Sequence, residues 1–149
     1  MKRGEQVKHQ IYMAGGITDV EWSKAKEWRD KLSTLIDEAC KDQWYCFDPC
    51  DHFNEFGEVI SEAESVRYDL DHLRHSRIMV VSFEHTQRSI GTAIEIGVAY
   101  ENRIPIIGFN PNKEELHPWY KEVCTHICTS FDGLLMFLCD HYLNEGGKL

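Results

Sequence analysis

An uninterrupted apolar run constrains the fold of this chain more than any other feature of its sequence. The run lies within residues 77–83 (RIMVVSF) and offers no regular polar position for a solvent-facing side. A strand of this kind is buried on both faces, which is typical of a parallel sheet covered by helices on each side. We therefore expect an α/β fold.

Strand patterns and helix patterns alternate about five times along the chain. Strands are predicted at 9–14, 44–48, 77–83, 104–109 and, more weakly, around 124–128. Helices are predicted at 19–39, with Asp19 as the N-cap, and at 58–75, 90–102, 114–123 and 131–142. This order predicts a five-stranded parallel sheet joined by right-handed crossovers. Ligands of such sheets bind at the carboxyl ends of the strands, here in the loops 14–19, 48–57, 84–91 and 110–118.

Length and charge limit the number of domains and the kinds of partner. The chain has 149 residues, which fits a single domain over 1–149. Its 16 basic and 25 acidic residues give a net charge of −9. Polymeric nucleic acids and anionic membranes are polyanions held by Lys and Arg, so we expect neither as a partner. A small anionic ligand in a local pocket remains compatible with this balance.

The cysteines and the first residues bear on the compartment. The chain starts with a basic, polar stretch that has no apolar segment behind it, so we expect a cytoplasmic protein with reduced thiols. The sets Cys46, Cys50, His52 and Cys124, His126, Cys128 raise the alternative of a metal site. Neither set has the paired spacing of a structural zinc site, and Cys124 and Cys128 are better explained as small core residues. We expect no metal.

The predicted third helix carries one charge in a long apolar stretch. Glu95 is the single charged residue of 90–100, where Gly91, Ala93, Gly97 and Ala99 allow other backbone to approach closely. A helix that is apolar all round is buried, so Glu95 is expected to lie in the interior or in a cleft, with a raised pKa if unpaired. The alternatives are a Glu that pairs with a core Arg or Tyr, or one that reaches solvent at the helix start.

A second carboxylate precedes this helix. Asp69 lies among apolar neighbours in the second predicted helix, whereas Asp71 and His72 are assigned to its open face. Cleavage at an anomeric carbon needs two carboxyl groups, one at the electron-poor centre and one at the leaving group. The alternative for Asp69 is a solvated helix carboxylate.

Three segments together carry a family resemblance. They are 11–17 (IYMAGGI), 68–73 (YDLDHL) and 89–97 (SIGTAIEIG), the last followed by the strand PIIGF. In this combination and order, from about residue 9 to 110, the chain resembles the nucleoside 2-deoxyribosyltransferase superfamily, which includes the 2'-deoxynucleoside 5'-phosphate N-hydrolases. The resemblance implies a flavodoxin-like (Rossmann-like) three-layer α/β sandwich and a homo-oligomer of at least dimers. It also implies cleavage of an N-glycosidic bond without a metal or organic cofactor.

The resemblance also implies roles for single residues. Glu95 matches the nucleophile, Asp69 the acid on the side of the base, and Tyr12 a tyrosine that orients the nucleophile. Gly15, Gly16 and Ile17 match a loop against the sugar or base. The alternative for Tyr12 is a packed side chain whose hydroxyl is satisfied within the core.

The loop before the third helix divides the superfamily. The transferases resemble this sequence but carry an aspartate where it has Ser89, whereas the nucleotide hydrolases carry a serine. A serine hydroxyl and the amides of a helix start attract a 5'-phosphate, and Arg88 and Gly91 belong to the same hydrolase-like loop. Ser89 as a plain helix cap is the alternative. One departure opposes this assignment, because Thr18 and Asp19 stand where the hydrolases place an arginine.

Together these observations predict an enzyme acting on a small nucleoside or nucleotide. Hydrolysis of a (2'-deoxy)nucleoside 5'-monophosphate is favoured by Ser89, and base exchange by a transferase is the alternative. A non-catalytic nucleotide-binding module and a flavodoxin-like redox protein are alternatives of other classes, although the first strand ends without the hydroxyl-rich phosphate loop of the latter. Trp22, Trp28 and Arg29 are left out of the site, since aromatic residues at helical spacing are more often core.

Overall fold

The computed structural model describes residues 8–17, 20–40, 42–54, 57–58, 61–84 and 89–144. These residues contain seven strands: β1 (His9–Ala14), β2 (Trp44–Phe47), β3 (Phe53–Asn54), β4 (Gly57–Glu58), β5 (Ile78–Ser82), β6 (Ile106–Phe109) and β7 (His126–Cys128). The α-helices are α1 (Trp22–Cys40), α2 (Glu62–Arg74), α3 (Ile90–Glu101), α4 (Pro118–Val123) and α5 (Phe131–Leu138). A 3₁₀ turn covers Pro49–His52, and a π-helical turn at Cys139–Leu143 extends α5.

The main sheet has five strands in the order β2-β1-β5-β6-β7, and every neighbouring pair is parallel. Counted within this sheet, the order is 2-1-3-4-5, which is that of flavodoxin-like folds. The predicted five-stranded parallel sheet is therefore confirmed. Two short strands, β3 and β4, form a separate antiparallel pair that the sequence did not predict.

The alternation of side chains along β1 assigns each residue to one face of the sheet. Ile11 and Met13 belong to a core cluster with residues of α1 and α5. Tyr12 and Ala14 belong to the opposite cluster, which includes residues of α2 and α3. The molecule thus has three layers, and Tyr12 lies on the same side of the sheet as α2 and α3.

The first two helices begin later than predicted. α1 begins at Trp22 rather than at residue 19, and Asp19 lies outside the described residues. α2 begins at Glu62 rather than at residue 58, because Ser61 and Glu64 form a reciprocal capping box. Glu58 instead pairs with Phe53 in the small antiparallel sheet.

The third helix is buried on one face only. Thr92, Ile96 and Ala99 are buried, whereas Ile90 is 78% exposed and Ile94 is 51% exposed. The expectation that α3 is buried all round is therefore wrong for the single chain, because one sheet face covers only one side of a helix. The outer side is apolar and open.

The C-terminal third follows the predicted order with shorter elements. β6 starts at Ile106 rather than at 104, and α4 starts at Pro118 rather than at 114. Pro118 suits the first turn of a helix, and the His117 side chain caps it by accepting from the Trp119 amide. No helix in the described part of the chain is long and apolar enough to cross a membrane.

Candidate active site

A tyrosine and a glutamate from distant parts of the chain meet above the sheet. Tyr12 is fully buried in β1, and its hydroxyl donates a hydrogen bond to Oε2 of Glu95. Glu95 is partly buried and lies within one turn of Thr92, Ile96 and Ala99, so helical periodicity turns it toward the sheet with them. The bond leaves Oε1 of Glu95 as the carboxylate oxygen able to react with a ligand.

The surroundings of Glu95 favour its protonated form. The pKa of this carboxyl is raised to about 7, chiefly by burial and further by the negative charge of Asp69, against the Tyr12 hydrogen bond and the positive charge of Arg29, which lower it. Removal from water disfavours a charge unless partners compensate for it. Glu95 is therefore poised between its two forms near neutral pH, which is the range that an enzymatic nucleophile or base needs.

The surroundings of Tyr12 keep its hydroxyl protonated. Burial raises its pKa well above the usual value, and the charges of Glu95 and Asp69 raise it further, while Arg29 opposes them. A phenol that does not ionise is a permanent hydrogen-bond donor. Tyr12 can therefore orient the Glu95 carboxylate at any physiological pH.

Asp69 completes a group of three ionisable side chains. It is partly buried on α2, a helix that packs against α3, and its charge acts on both Tyr12 and Glu95. Asp71, two residues later, has a side chain that is 70% exposed. The structure thus brings Asp69, Glu95 and Tyr12 together and leaves Asp71 on the open face, as the sequence predicted.

Contacts from β1 hold α2 in place. The Gln10 amide donates to the His72 carbonyl at 2.9 Å and to the Ser76 hydroxyl at 2.8 Å. The His72 ring stacks on Phe47 with 4.1 Å between ring centroids, so its assignment to the open face is wrong. Because Gln10 and Tyr12 are alternate residues of one strand, the strand that carries Tyr12 also fixes the helix that carries Asp69.

The predicted glycine loop follows the carboxyl end of β1. Gly15 and Gly16 are buried and Ile17 is partly buried. A Cβ atom at Gly15 would lie 3.3 Å from Cζ2 of Trp28 and 3.4 Å from Nη2 of Arg29. Glycine is therefore the residue that fits this loop against α1 without displacing its neighbours.

The start of α3 is organised by Ser89. Its hydroxyl accepts from the Thr92 amide at 3.3 Å and lies 2.8 Å from the Thr92 hydroxyl, so Ser89 caps the helix. Gly91 is exposed, and a Cβ atom there would meet no atom within 4 Å. Arg88 lies outside the described residues. The serine and the free amides of this helix start can receive an anion.

Arg29 and Asp48 lie beside the site, although the sequence did not assign them to it. Arg29 is fully buried, and its Nη2 donates to the Gly15 carbonyl at 3.0 Å. Asp48 is buried after β2, 3.6 Å from Nε of Arg29. Helical spacing offered a signal for Arg29, since it stands four residues after Ala25 and three before Leu32 on the apolar face of α1.

Metal-ligating side chains do not cluster in the described ranges. No three His, Cys, Asp or Glu residues among them are placed so that they could hold a metal ion. Cys128 is buried and Cys124 is partly buried, and both pack against the core clusters. Their assignment as small core residues agrees with this packing.

The chemistry open to this site follows from its three groups. A carboxylate poised near neutrality, a fixed phenol donor and a second carboxylate lie at the carboxyl end of a parallel sheet. One carboxylate can attack or stabilise an electron-poor carbon while the other serves a leaving group.

Comparisons with known proteins connect this geometry to a family. Comparison with characterised protein sequences finds no match. Among solved structures, the fold resembles a 2-deoxyribosyltransferase from Bacillus psychrosaccharolyticus, with a TM-score of 0.68 and 19% identity over 84% of this chain and 89% of that one. A 2-deoxyribosyltransferase from Leishmania mexicana gives a TM-score of 0.62 and 15% identity over 91% and 99% of the two chains. A CMP N-glycosidase from Clostridium botulinum gives a TM-score of 0.58 and 20% identity over 90% and 99%.

These structural likenesses establish the fold, and a sequence model establishes the family. The model that describes nucleoside 2-deoxyribosyltransferases matches residues 11–141 of the 149. This range includes Tyr12, Asp69 and Glu95. The chain therefore belongs to the nucleoside 2-deoxyribosyltransferase family.

Proposed function

We propose that this protein cleaves the N-glycosidic bond of a (2'-deoxy)nucleoside or of its 5'-monophosphate, with Glu95 as the nucleophile. The observation that carries the proposal is the hydrogen bond from Tyr12 to Glu95 within reach of the Asp69 charge. Family membership supports the same reaction class.

The proposed reaction has two steps. In the first, Oε1 of Glu95 bonds to the anomeric carbon as the bond from that carbon to the base nitrogen breaks. Glu95 and Asp69 act as a coupled pair that shares one proton, and in the reactive form Glu95 is ionised while Asp69 carries that proton and gives it to the departing base. In the second, water attacks the anomeric carbon, the bond to Glu95 breaks, and Asp69 takes a proton from the water. Division into two displacements lowers each barrier.

Tyr12 has an orienting role in this scheme. Its hydrogen bond fixes one oxygen of Glu95, so the other is held in a single direction. Positioning of a reacting atom reduces the entropy that must be lost in the transition state. The raised pKa of Tyr12 keeps the donor in place while Glu95 ionises.

Either water or a free base can receive the sugar in the second step. Ser89 favours a nucleotide substrate and therefore hydrolysis by water. A neutral hydroxyl at the start of α3 accommodates a 5'-phosphate, whereas an aspartate there would repel it. Base exchange is the second candidate, and two of the similar structures are deoxyribosyltransferases. In that case the second step uses a free base in place of water.

We further propose that the chain assembles with a second copy of itself through α3. The outer side of this helix exposes Ile90, Ile94 and Tyr100, and its Gly97 has open space where a Cβ would lie. An exposed apolar stripe with a small residue in it suits close packing of another helix. A two-fold axis at this position would bring two sites near each other.

The proposed compartment is the cytoplasm. All six cysteines are free thiols, at positions 40, 46, 50, 124, 128 and 139. Free thiols suit a reducing compartment.

One experiment tests the function directly. The protein is incubated with matched ribo- and deoxyribonucleosides and their 5'-monophosphates, with and without a second free base, and the products are separated by chromatography. Release of free base and sugar phosphate is the expected result. A new nucleoside formed from the added base would identify the transferase. No free base and no exchange across the whole panel would overturn the enzymatic proposal and favour a binding module.

A further inference from the structure

A buried arginine lies under the glycine loop. Arg29 has no exposed surface, and its guanidinium donates to the carbonyls of Ala25 at 2.7 Å, Gly15 at 3.0 Å and Met13 at 3.3 Å. Arginine is almost never fully buried unless it is paired, because its charge loses its hydration. Two of the three bonds hold the carboxyl end of β1 and the residue after it, so they fix the start of the loop against α1.

Arg29 shares its acidic partner, Asp48, with a second cation. Its Nε lies 3.6 Å from Oδ1 of Asp48, which is beyond hydrogen-bond distance. Asp48 also pairs with Lys26 and accepts a hydrogen bond from the Cys50 amide at 2.8 Å. Lys26 in turn lies 3.0 Å from the exposed Asp30. Among these groups, Asp48 is therefore shared between Lys26 and Arg29, while Lys26 has a second carboxylate in Asp30.

That charge reaches the active site. Arg29 opposes the rise in pKa that burial causes in both Tyr12 and Glu95. The ionisable groups that act on Glu95 in the described residues are Tyr12 from β1, Asp69 from α2 and Arg29 from α1. Of the three, Arg29 alone is a cation. It therefore offsets the negative charge of Asp69, which would otherwise discourage a second carboxylate in the same site.

We propose that Arg29 is a positioning residue of the active site, which holds the Gly15 loop against α1 and supplies the buried positive charge that lets Glu95 ionise beside Asp69. The proposal rests on the role of Glu95 proposed above. It gives one side chain two separable functions, one through its forked hydrogen bonds and one through its charge. Substitution by lysine distinguishes these functions, because lysine keeps the positive charge but cannot form the forked hydrogen bonds of the guanidinium.

The test measures the Glu95 carboxyl itself as well as the reaction. The protein is labelled with glutamate carrying ¹³C at the side-chain carboxyl, and the signal of Glu95 is assigned by its loss in Glu95→Gln. Its titration is followed by NMR in the wild type, Arg29→Met, Arg29→Lys and Lys24→Met. The dependence of kcat/KM on pH, and kcat and KM separately, are measured in the same proteins.

Arg29→Met removes charge and fork, and is expected to raise the pKa of Glu95 by about one unit or more. The acid limb of kcat/KM moves to higher pH by the same amount. Arg29→Lys keeps the titration close to that of the wild type, but raises KM by about tenfold because the loop is no longer held. Lys24→Met, the matched control, removes a positive charge from an exposed position of the same helix while Arg29 and Asp48 remain, and changes neither the Glu95 titration nor KM.

If Arg29 has a purely structural role, Arg29→Met will reduce the amount of folded protein or the turnover but leave the Glu95 titration unchanged. That result overturns the proposal. Where Arg29→Met does not fold, Asp48→Asn replaces it. Loss of the carboxylate leaves the Arg29 charge unbalanced, so the pKa of Glu95 is expected to fall, and a rise or no change counts against the proposal. Because NMR needs no turnover, an inactive protein with an intact Arg29–Glu95 coupling would refute the proposed function alone.

Discussion

The hydroxyl of Tyr12 donates a hydrogen bond to the carboxylate of Glu95, across 83 residues of sequence. The bond joins the central layer of the fold to the helix layer at the carboxyl end of the strands. It also couples two groups whose pKa values burial raises, so that one stays protonated while the other titrates near pH 7. The first predictions follow from this pairing.

Glu95→Gln is expected to lower turnover by at least about 100-fold, the scale of losing a covalent or electrostatic role. The amide keeps the shape of the side chain and can still accept the Tyr12 hydrogen bond, so the protein should fold. Glu101→Gln, on the same helix at an exposed position, is the control and should stay active. Normal turnover of folded Glu95→Gln would remove Glu95 from the nucleophile role.

The same variant has an expected effect on stability. The pKa of Glu95 is about 7 in the folded protein and 4.5 for an unperturbed carboxyl, so its contribution to stability is present below pH 4.5 and lost as the pH rises through 7. Glu95→Gln escapes this loss, and its free energy of unfolding should exceed that of the wild type by about 1 to 3 kcal/mol at pH 8. Denaturant unfolding at pH 5 and pH 8 measures the difference, which should be smaller at pH 5.

Tyr12→Phe is expected to move the pH profile. A nucleophilic Glu95 must be ionised, so kcat/KM of the wild type should fall below about pH 7. The Tyr12 hydrogen bond lowers the pKa of Glu95, and its removal should shift the acid limb upward by about one pH unit. Tyr45→Phe, at a 40% exposed position of β2, should leave the profile unchanged. An unshifted profile in Tyr12→Phe would mean that the hydroxyl has only a packing role.

Sequence reasoning reached the fold because its signals are local and repeated. The apolar run around β5 and the spacing of apolar residues in α1 each specify an element without reference to the rest of the chain. The ends of the helices and strands were harder to predict from the sequence. The start of α2 depends on the Ser61–Glu64 capping box, and the small antiparallel pair of Phe53–Asn54 with Gly57–Glu58 leaves almost no periodic signal.

Only the part of the site that leaves a local signal in the sequence could be predicted from the residues themselves. Glu95 stands out because it is the single charge in an apolar helix, but its partner Tyr12 could be proposed only from resemblance, since nothing local links the two. Arg29 stays outside the predicted site together with Trp22 and Trp28, because aromatic residues at helical spacing are more often core. Its burial depends on carbonyls of the β1 end and on Asp48 after β2, which only the folded chain brings together.

Asp69→Asn is expected to affect substrates according to their leaving groups. If Asp69 gives a proton to the departing base, the loss of rate should be large for a natural base and small for an activated analogue that leaves without help. Asp71→Asn, on the same helix with a 70% exposed side chain, is the control and should affect neither substrate. Equal losses on both substrates in Asp69→Asn would point to a structural role.

Ile94→Glu is expected to break the assembly proposed through α3. Ile94 is 51% exposed in the single chain, so a glutamate there disturbs little of the core but places a charge on an apolar contact. Met136→Glu, at a 66% exposed position of α5, should leave assembly intact. Light scattering at micromolar concentration checks both, and a monomeric wild type would contradict the proposed interface.

Ser89→Asp is expected to reverse the preference for a nucleoside 5'-monophosphate over the matched nucleoside. Aspartate caps a helix as well as serine does, so α3 should keep its start and any change in preference comes from the new charge. A 5'-phosphate at this helix start gains about 0.3 to 1 kcal/mol from the helix dipole when exposed, and up to about 2 when partly buried. An aspartate opposes that gain by direct repulsion.

The wild type should therefore have a higher kcat/KM for a deoxynucleoside 5'-monophosphate than for the matched nucleoside, and Ser89→Asp should reverse the ratio by raising KM for the monophosphate alone. Ser130→Asp, at the N-cap of α5, makes the same exchange of caps away from the site and should leave the ratio unchanged. A second free base added to each assay detects exchange. A wild type that prefers the unphosphorylated nucleoside and transfers its sugar to the added base would make Ser89 a helix cap alone and the protein a transferase.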